Sequence, residues 1–325
     1  MSQPVRVTKC FVGCAALMAS ATLSAQDYPA KPMRVAVGFA AGGPADAMAR
    51  IIGKKMTDIS GQSVIIDNRP GNNGFIAGDF VARSAPDGYS SWFSGGSALT
   101  FVKLMYSKPL LDPDRDLALV THAVSVPQAF TVHPALPVKS MRDLALLAGR
   151  RPDQVRISVI SLGGIVHLGV ELFKRAANIK MINVQYKGGG PAAIDLIGGH
   201  IEAGLFDVPA VIGHLPTNKM RALAVTSGER VKQIPDVPTT SESGYPTVRS
   251  DSWYAVAVPM ATPVDTIRRM NKLWVSALRA PDTHEQLSSL GTMPVGSSIE
   301  EVLTFRAAEA KRWGELIRQL NFKLE

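Results

Sequence analysis

The sequence predicts an α/β protein whose strands lie in parallel β-sheet. At roughly 100–200 residues per domain, its 325 residues suggest two domains and leave one large domain as the alternative. Strand-like apolar runs alternate with helix-like segments along most of the chain, and glycine-rich turns follow several of those runs. Alternation of this kind is typical of β–α–β units, in which helices join parallel strands.

The first hundred residues show the alternation most clearly. Apolar residues at helical spacing follow the first strand-like run, and turn residues at 68–74 and 86–88 separate the elements after it. The predicted elements are a strand at 33–39, a helix at 48–56, a strand at 64–66, a helix at 75–84 and a strand at 89–93.

The same rhythm continues to the C-terminus. The run 117–132 is rich in strand-forming residues, and Ser140 is placed to cap a helix. The further predicted elements are strands at 156–160, 182–186 and 203–206, helices at 167–177 and 192–197, a helix with Pro263 at its first position, and a final helix from Ser298.

Composition and charge exclude several classes of protein. With 46% hydrophobic residues and a mean hydropathy of +0.09, the chain has enough apolar surface to fold and is neither fibrous nor disordered. The formal net charge is +8, but the basic residues are scattered in pairs such as Lys54-Lys55, without a basic stripe interleaved with aromatic residues. We therefore expect no nucleic-acid partner.

Residues 1–25 have the layout of a secretory signal peptide. Arg6 and Lys9 precede an apolar run that is too short to span a membrane, and the segment ends in small residues. A lipoprotein signal with Cys14 as the lipidated residue fits less well, because most of the apolar run follows that cysteine. We expect export to the periplasm and a mature chain without cysteine, since Cys10 and Cys14 both lie in the removed segment.

Three glycine-rich turns, at 42–46, 161–167 and 186–191, each lie between a predicted strand and a predicted helix. Free N–H groups at a helix start, together with the helix dipole, can hold a carboxylate or a phosphate. The first turn matches neither a P-loop nor a G-x-G-x-x-G motif, and Asp46 could simply cap its helix. The other turns could likewise be only tight connections. Because α/β folds bind ligands at the carboxyl ends of parallel strands, three such turns together favour a binding site.

Sequence motifs for catalysis are absent. Gly95-Gly96-Ser97-Ala98-Leu99 lacks the closing glycine of a nucleophile elbow, and the six histidines form neither a zinc motif nor a close pair. His167 is interpreted as a capping or pocket-lining residue. Asp207, at a strand end, is equally consistent with a carboxylate in a cleft and with a solvated turn residue. We expect no enzyme activity, no metal and no cofactor.

A series of short motifs, in order along nearly the whole mature chain, resembles the Bug receptors, which are the extracytoplasmic solute receptors of the tripartite tricarboxylate transporter family. The motifs are Gly42-Gly43-Pro44-Ala45-Asp46 with Ala49-Arg50, Asp67-Asn68-Arg69-Pro70-Gly71-Asn72-Asn73-Gly74, Pro86-Asp87-Gly88-Tyr89, Tyr186-Lys187-Gly188-Gly189-Gly190-Pro191-Ala192, Gly198-Gly199-His200-Ile201-Glu202-Ala203, Arg221-Ala222-Leu223-Ala224-Val225-Thr226, Pro235-Asp236-Val237-Pro238-Thr239 and Ser252-Trp253-Tyr254-Ala255.

The resemblance implies a type II periplasmic-binding-protein fold, with two α/β lobes, a double chain crossing and a ligand cleft between the lobes. It places lobe 1 at 26–124 plus 249–325, lobe 2 at 125–248, and the crossings near 122–126 and 247–251. It implies a binding site in five loops, formed by Gly43, Pro44, Ala45 and Asp46; Ser94 and Ser97; Gly163, Gly164 and His167; Tyr186, Gly188, Gly189 and Gly190; and Asp207.

The function implied by the resemblance is capture of a small carboxylate-bearing ligand for the membrane subunits of a transporter, by a monomer that performs no chemistry. Two alternatives remain, a ligand sensor for a two-component system and an exported α/β hydrolase. The apolar pairs Ile165-Val166 and Ala98-Leu99 depart from the more polar residues of relatives. The identity of the ligand therefore does not transfer with the resemblance.

Overall fold

The computed structural model describes residues 28–106, 108–186 and 188–320. The predicted signal peptide at 1–25, with Cys10 and Cys14, lies outside the described residues. The described residues form eleven strands: β1 (Met33–Val37), β2 (Val64–Asn68), β3 (Ser90–Gly95), β4 (Leu117–Val126), β5 (Gln128–Val132), β6 (Arg156–Ile160), β7 (Ile182–Tyr186), β8 (Ala203–Asp207), β9 (Arg221–Val225), β10 (Ser252–Pro259) and β11 (Met293–Pro294).

Ten α-helices accompany these strands in the described part of the chain. They are α1 (Pro44–Ser60), α2 (Phe75–Ala82), α3 (Gly96–Thr100), α4 (Pro113–Asp116), α5 (Met141–Arg150), α6 (Ile165–Ala176), α7 (Gly189–Ile197), α8 (Val264–Arg279), α9 (Pro281–Ser289) and α10 (Ile299–Leu320). None of them is both long and apolar enough to cross a membrane.

The strands form two separate sheets, one in each of two lobes. The order in the lobe 1 sheet is β11-β4-β10-β3-β1-β2, and the order in the lobe 2 sheet is β7-β6-β8-β5-β9. The chain passes from lobe 1 to lobe 2 at Pro127, between the end of β4 and the start of β5, and returns between β9 and β10. These passages lie close to the expected crossings, and the α/β two-lobe fold is confirmed. The lobe limits given above stay a prediction.

The expectation of parallel sheet is wrong for part of each lobe. Strands β1, β2 and β3 run parallel, as do β6, β7 and β8, but β10 runs antiparallel to β3 and β4, and β5 runs antiparallel to β8 and β9. The strand-rich run 117–132 is also two strands in two different sheets, separated by Pro127. Strand β4 leaves lobe 1 at the crossing and β10 enters it there, with Ser252 opposite Val126, so the two strands run in opposite directions. Likewise, β5 enters lobe 2 at the crossing, whereas β8 ends there.

Several helices begin at slightly different residues from those expected. Helix α7 begins at Gly189 instead of Ala192, because the first helical turn needs no intrahelical N–H bonds and accepts both glycine and Pro191. Helix α6 begins at Ile165, and Pro263 caps α8 instead of opening it. Helix α10 begins at Ile299, one residue after the expected start at Ser298. Ser298 caps the helix: its hydroxyl accepts the Glu301 N–H (3.1 Å), and the Glu301 carboxylate accepts the Ser298 N–H (2.7 Å).

Aromatic side chains hold lobe 1 together behind its sheet. Phe93 stacks on Tyr254 and on Trp274, with ring centroids 5.3 and 6.3 Å apart, so β3, β10 and α8 share one core. The ring of Tyr254 therefore packs into this core on one face, and the residue also borders the space between the lobes. The carboxyl ends of β1, β3, β6, β7 and β8 all meet at the space between the lobes, where the candidate site lies.

Candidate functional site

A cavity of about 390 Å³, here called the central cavity, lies between the two lobes. Lobe 1 supplies the loop 39–45 and Tyr254. Lobe 2 supplies the ends of β6 and β8, the start of α6 and the turn 188–191. A cavity of this size, bordered by both lobes, has the dimensions of a small-molecule site.

Two further spaces are continuous with the central cavity. An inner pocket of about 70 Å³ shares Ile160, Val166 and Asp207 with it. An outer cavity of about 1030 Å³ shares Phe39 and Ser161 with it and opens past Tyr106 and Tyr186. The whole forms one cleft that narrows from the outer cavity to the inner pocket.

The first wall of the central cavity is the start of α1. Gly43 is the N-cap and Pro44 the first helical residue, while Gly42 has a positive φ of 79°. The carboxylate of Asp46 holds this loop, because its Oδ2 accepts the Gly42 N–H (3.0 Å) and the Arg50 Nε–H (2.9 Å). Burial alone would raise the pKa of Asp46, but these hydrogen bonds lower it below its usual value. Asp46 therefore shapes the loop from behind and does not line the cavity.

The second wall is the turn from β6 into α6. Ser161 takes a left-handed conformation with a φ of 54°, which is uncommon for a residue with a side chain and is typical of functional loops. His167 supports this turn from beneath, since its Nδ1 accepts the Gly163 N–H at 3.0 Å. Burial lowers the pKa of His167 to about 4, so the ring is neutral at physiological pH.

The third wall is the turn from β7 into α7. Gly188 is the N-cap of α7, and Gly188, Gly189 and Gly190 line the central cavity. Tyr186 lines the outer cavity, and its hydroxyl donates to Asp195 Oδ2 at 2.7 Å. Burial and this carboxylate raise the pKa of Tyr186 to about 12. Lys187 lies outside the described residues.

Together these walls bring three helix N-termini to one cavity. Ala45, Val166, Gly189 and Gly190 line the cavity, and their N–H groups, here called the amide cluster, have no acceptor within the described chain. The positive ends of the three helix dipoles lie at the same place. Of the described residues that line the central cavity, none is Lys or Arg. An anion bound here would be held by backbone donors and not by a cationic side chain.

Asp207 is the acidic group of the cleft, at the end of β8. Its Oδ1 accepts hydrogen bonds from Ser252 Oγ (2.7 Å) and Gln128 Nε2 (3.3 Å), two residues beside the chain crossings. Burial, with a smaller contribution from the nearby carboxylate of Asp251, raises the pKa of Asp207 to about 6. The charge of Asp207 in turn adds to the effect of burial and raises the pKa of Tyr254.

The structure brings most of the expected site residues to the cleft. The central cavity is lined by Gly43, Pro44, Ala45, Gly188, Gly189, Gly190 and Asp207; the inner pocket by Ser97, Gly164 and Asp207; and the outer cavity by Tyr186. Four expected residues, Asp46, Ser94, Gly163 and His167, line none of these spaces. Direct contact of any of the expected residues with a ligand, these four included, stays a prediction.

Sequence reasoning missed several residues that line the cleft. Phe39 and Ser161 border all three spaces, Asn73 borders two, and Trp253 and Tyr254 border the inner pocket. Phe39 is the last residue of one predicted strand and Ser161 directly follows another, so their position at a strand end could have revealed them. Within the described ranges, no three His, Cys, Asp or Glu side chains come together as a metal site.

The chain is similar to proteins of known family. A family model described as the tripartite tricarboxylate transporter family receptor matches residues 48–322. Protein BugT of Bordetella pertussis is 34% identical over 327 residues, which cover all of this chain and 99% of BugT.

Two solved structures share the fold closely. R. palustris Rpa4515 with adipate is 31% identical, with a TM-score of 0.87 over 91% of this chain and 99% of that one. MatC (Rpa3494) from Rhodopseudomonas palustris with bound malate is 25% identical, with a TM-score of 0.82 over 89% of this chain and 100% of that one.

Proposed function

The chain belongs to the tripartite tricarboxylate transporter receptor family, and on this premise we propose that it captures a small carboxylate in the central cavity. As a member of that family it is a solute-binding receptor. It delivers its ligand to the membrane subunits of a transporter of the tripartite tricarboxylate type. It acts as a monomer in the periplasm, after removal of residues 1–25.

The amide cluster is the observation that carries this proposal. A carboxylate is a small anion with several acceptor positions, and it can take hydrogen bonds from more than one of the three helix starts at once. Backbone donors on separate lobes reach the same ligand only when the cleft is closed. Contacts made only in the closed form are what couple binding to lobe closure.

The ligands of the two solved relatives support the same chemistry. Adipate and malate each carry two carboxylates and no cation, although the molecules differ in length and in the hydroxyl of malate. The central cavity and the outer cavity together leave room for carboxylates of either length. We therefore propose that the ligand is a small carboxylate, without naming one compound.

The position of a Ser–His contact argues against the hydrolase alternative. Ser125 Oγ lies 3.0 Å from His122 Nε2, as a nucleophile and its base would. Both residues lie on β4 and line none of the three spaces of the cleft, and the ring of His122 is buried between Trp253 and Phe305. Burial lowers the pKa of His122 to about 4, which makes it a poor base at neutral pH.

Calorimetric titration of the purified mature chain tests the proposal. The panel comprises dicarboxylates, tricarboxylates, amino acids and aromatic acids, and each ligand that binds is recovered afterwards and analysed for chemical change. We expect saturable binding of at least one carboxylate and its recovery unaltered. Reproducible conversion of the ligand would show an enzyme, and absence of binding across the panel would refute the carboxylate class.

A further inference from the structure

The inner pocket is lined by Trp253, whose indole N–H has no hydrogen-bond partner within the described part of the chain. Trp253 is 2% exposed, and its indole Nε1 is fully buried without a partner within the described residues. Nε1 lies against Gly96, where an added Cβ would come within 2.2 Å of it, and Gly96 lines the inner pocket. A buried N–H without an acceptor is costly and indicates a missing partner in the adjoining space.

The indole is held firmly in this position. Its ring packs edge-on against His122 and Phe305, with centroids 5.4 and 5.1 Å away, and on its other side meets the bare backbone of Gly96. Trp253 therefore cannot turn its N–H toward another acceptor without disturbing both rings. The donor is part of the pocket and not a mobile group.

The same pocket also contains a hydrogen-bond acceptor, the carboxylate of Asp207, and the hydroxyl of Tyr254. Both recorded hydrogen bonds of Asp207 are made to Oδ1, so Oδ2 remains available to a bound group. Tyr254 also lines the pocket, and its hydroxyl can both donate and accept a hydrogen bond. The inner pocket thus presents one fixed donor, one anionic acceptor and one group able to act as either.

A hydroxyl group matches this arrangement, whereas an ammonium group and a carboxylate do not. A hydroxyl donates one hydrogen bond and accepts others, so it can donate to Asp207 and accept from Trp253 at the same time. An ammonium group has no lone pair for the indole N–H. A carboxylate has no proton for Asp207, and its charge would face that of Asp207.

We propose that the inner pocket is a hydroxyl subsite, and that the ligand is a hydroxycarboxylate whose carboxylate binds the amide cluster while its hydroxyl enters this pocket. The inference rests on the proposed function, which supplies the carboxylate. Val166 and Ile160 line both spaces, so one small molecule spans them. The remainder of the ligand lies toward the outer cavity, beside Phe39 and Tyr106.

Matched ligands test this subsite in the unmodified protein. The probes are trios that differ in one group: malate, succinate and aspartate; and 3-phenyllactate, 3-phenylpropionate and phenylalanine, with both enantiomers of each chiral acid. In a trio that binds, we expect the hydroxy acid to bind about tenfold or more tightly than the acid that lacks the hydroxyl, since the bond to Asp207 is charge-assisted.

Variants then assign the preference to the pocket. Trp253→Phe removes the N–H and keeps an aromatic ring, so the ratio of the affinities for the hydroxy acid and the deoxy acid should fall toward one, whatever change the variant makes to both affinities alike. Trp92→Phe is the matched control, because the Trp92 indole N–H is also buried without a partner but borders none of the cleft spaces. It should keep the full preference. If Trp253→Phe folds poorly, Tyr254→Phe is the second variant. It removes only the Tyr254 hydroxyl from the pocket and should lower the preference for the hydroxy acid to a smaller extent.

Indole resonances give a readout that does not depend on affinity. The chain has four tryptophans, so the Trp253 N–H signal can be assigned by its loss in the variant. It should shift on addition of the hydroxy acid and not of the deoxy acid. Equal binding of hydroxy and deoxy acids would overturn the subsite and leave the proposed function intact. Tighter binding of the amino acids would assign the pocket to ammonium instead, and no binding by any carboxylate would refute both proposals.

Discussion

Replacement of Asp46 by Asn should destabilise the protein and weaken carboxylate binding together. Asp46 lies in the first turn of α1 and is 4% exposed, and its Oδ2 accepts the Gly42 N–H and the Arg50 Nε–H. Asn keeps the shape of the side chain but removes its charge. The loop that positions the Ala45 N–H would then be held by weaker bonds.

The magnitude follows from the two hydrogen bonds. A bond to a charged group contributes about 1.5–3 kcal/mol and a neutral bond about 0.5–1.5, so the variant should lose about 2 kcal/mol of unfolding free energy. Asp265→Asn is the matched control, because Asp265 also lies in a first helical turn and pairs with Arg268 at 3.2 Å, but is largely exposed. Both variants lose the same helix-dipole interaction, and the exposed pair should cost about 0.5 kcal/mol or less.

Urea denaturation of both variants at neutral pH measures this difference, and calorimetry with a carboxylate that binds measures the effect on the cleft. Because the folded pKa of Asp46 is lowered, its stabilisation is present above the unfolded value near 4 and is lost as pH falls through the folded pKa. At that low pH the difference in unfolding free energy between wild type and Asp46→Asn should disappear. Equal destabilisation by the two variants, or unchanged affinity in Asp46→Asn, would refute the account of the loop.

Other outcomes follow from the same contacts. The pKa of Asp207 is raised to about 6, so between pH 4 and 6 the folded protein keeps a proton that the unfolded chain has released. The urea midpoint should therefore fall as pH rises through that window, and Asp207→Asn should make the fall smaller. Asp251 and Tyr254 are the other titratable groups that face this carboxylate. Gly96→Ala should cost about 1–3 kcal/mol, because its Cβ would overlap the Trp253 ring, and a lower melting temperature would show it. Small-angle scattering should show a smaller radius of gyration with saturating ligand, and an unchanged radius would count against hinge closure.

Local sequence patterns were enough to predict the elements that carry the amide cluster. Each of the three glycine-rich turns stands between a strand and a helix, as expected, because periodicity and turn residues are local properties. Gly43, Gly188 and Gly189 therefore appear in the cleft where the order of elements placed them. The two-lobe architecture, in contrast, came from the family resemblance and not from composition or spacing.

Features that depend on distant partners were not predictable in this way. Strand β10 brings Trp253 and Tyr254 between β3 and β4 although it lies more than a hundred residues later in the chain, so nothing near it indicates its pairing or direction. The sequence likewise could not show that the Trp253 N–H lacks a partner, because this depends on the packing of Gly96 against the indole ring. The left-handed φ of Ser161 is also a property of the folded loop, since serine has no intrinsic preference for it.

The central claim, that backbone N–H groups of the amide cluster hold the carboxylate, is tested most directly by Gly189→Pro measured against Gly189→Ala. Both variants add a Cβ 3.3 Å from Ala210, but only proline removes the N–H. Proline is well suited to the first position of a helix, and the extended Gly188 before it accommodates proline. Calorimetry with the same carboxylate should show about tenfold or weaker binding by the proline variant at a similar melting temperature. Equal affinities in two normally folded variants would contradict the claim.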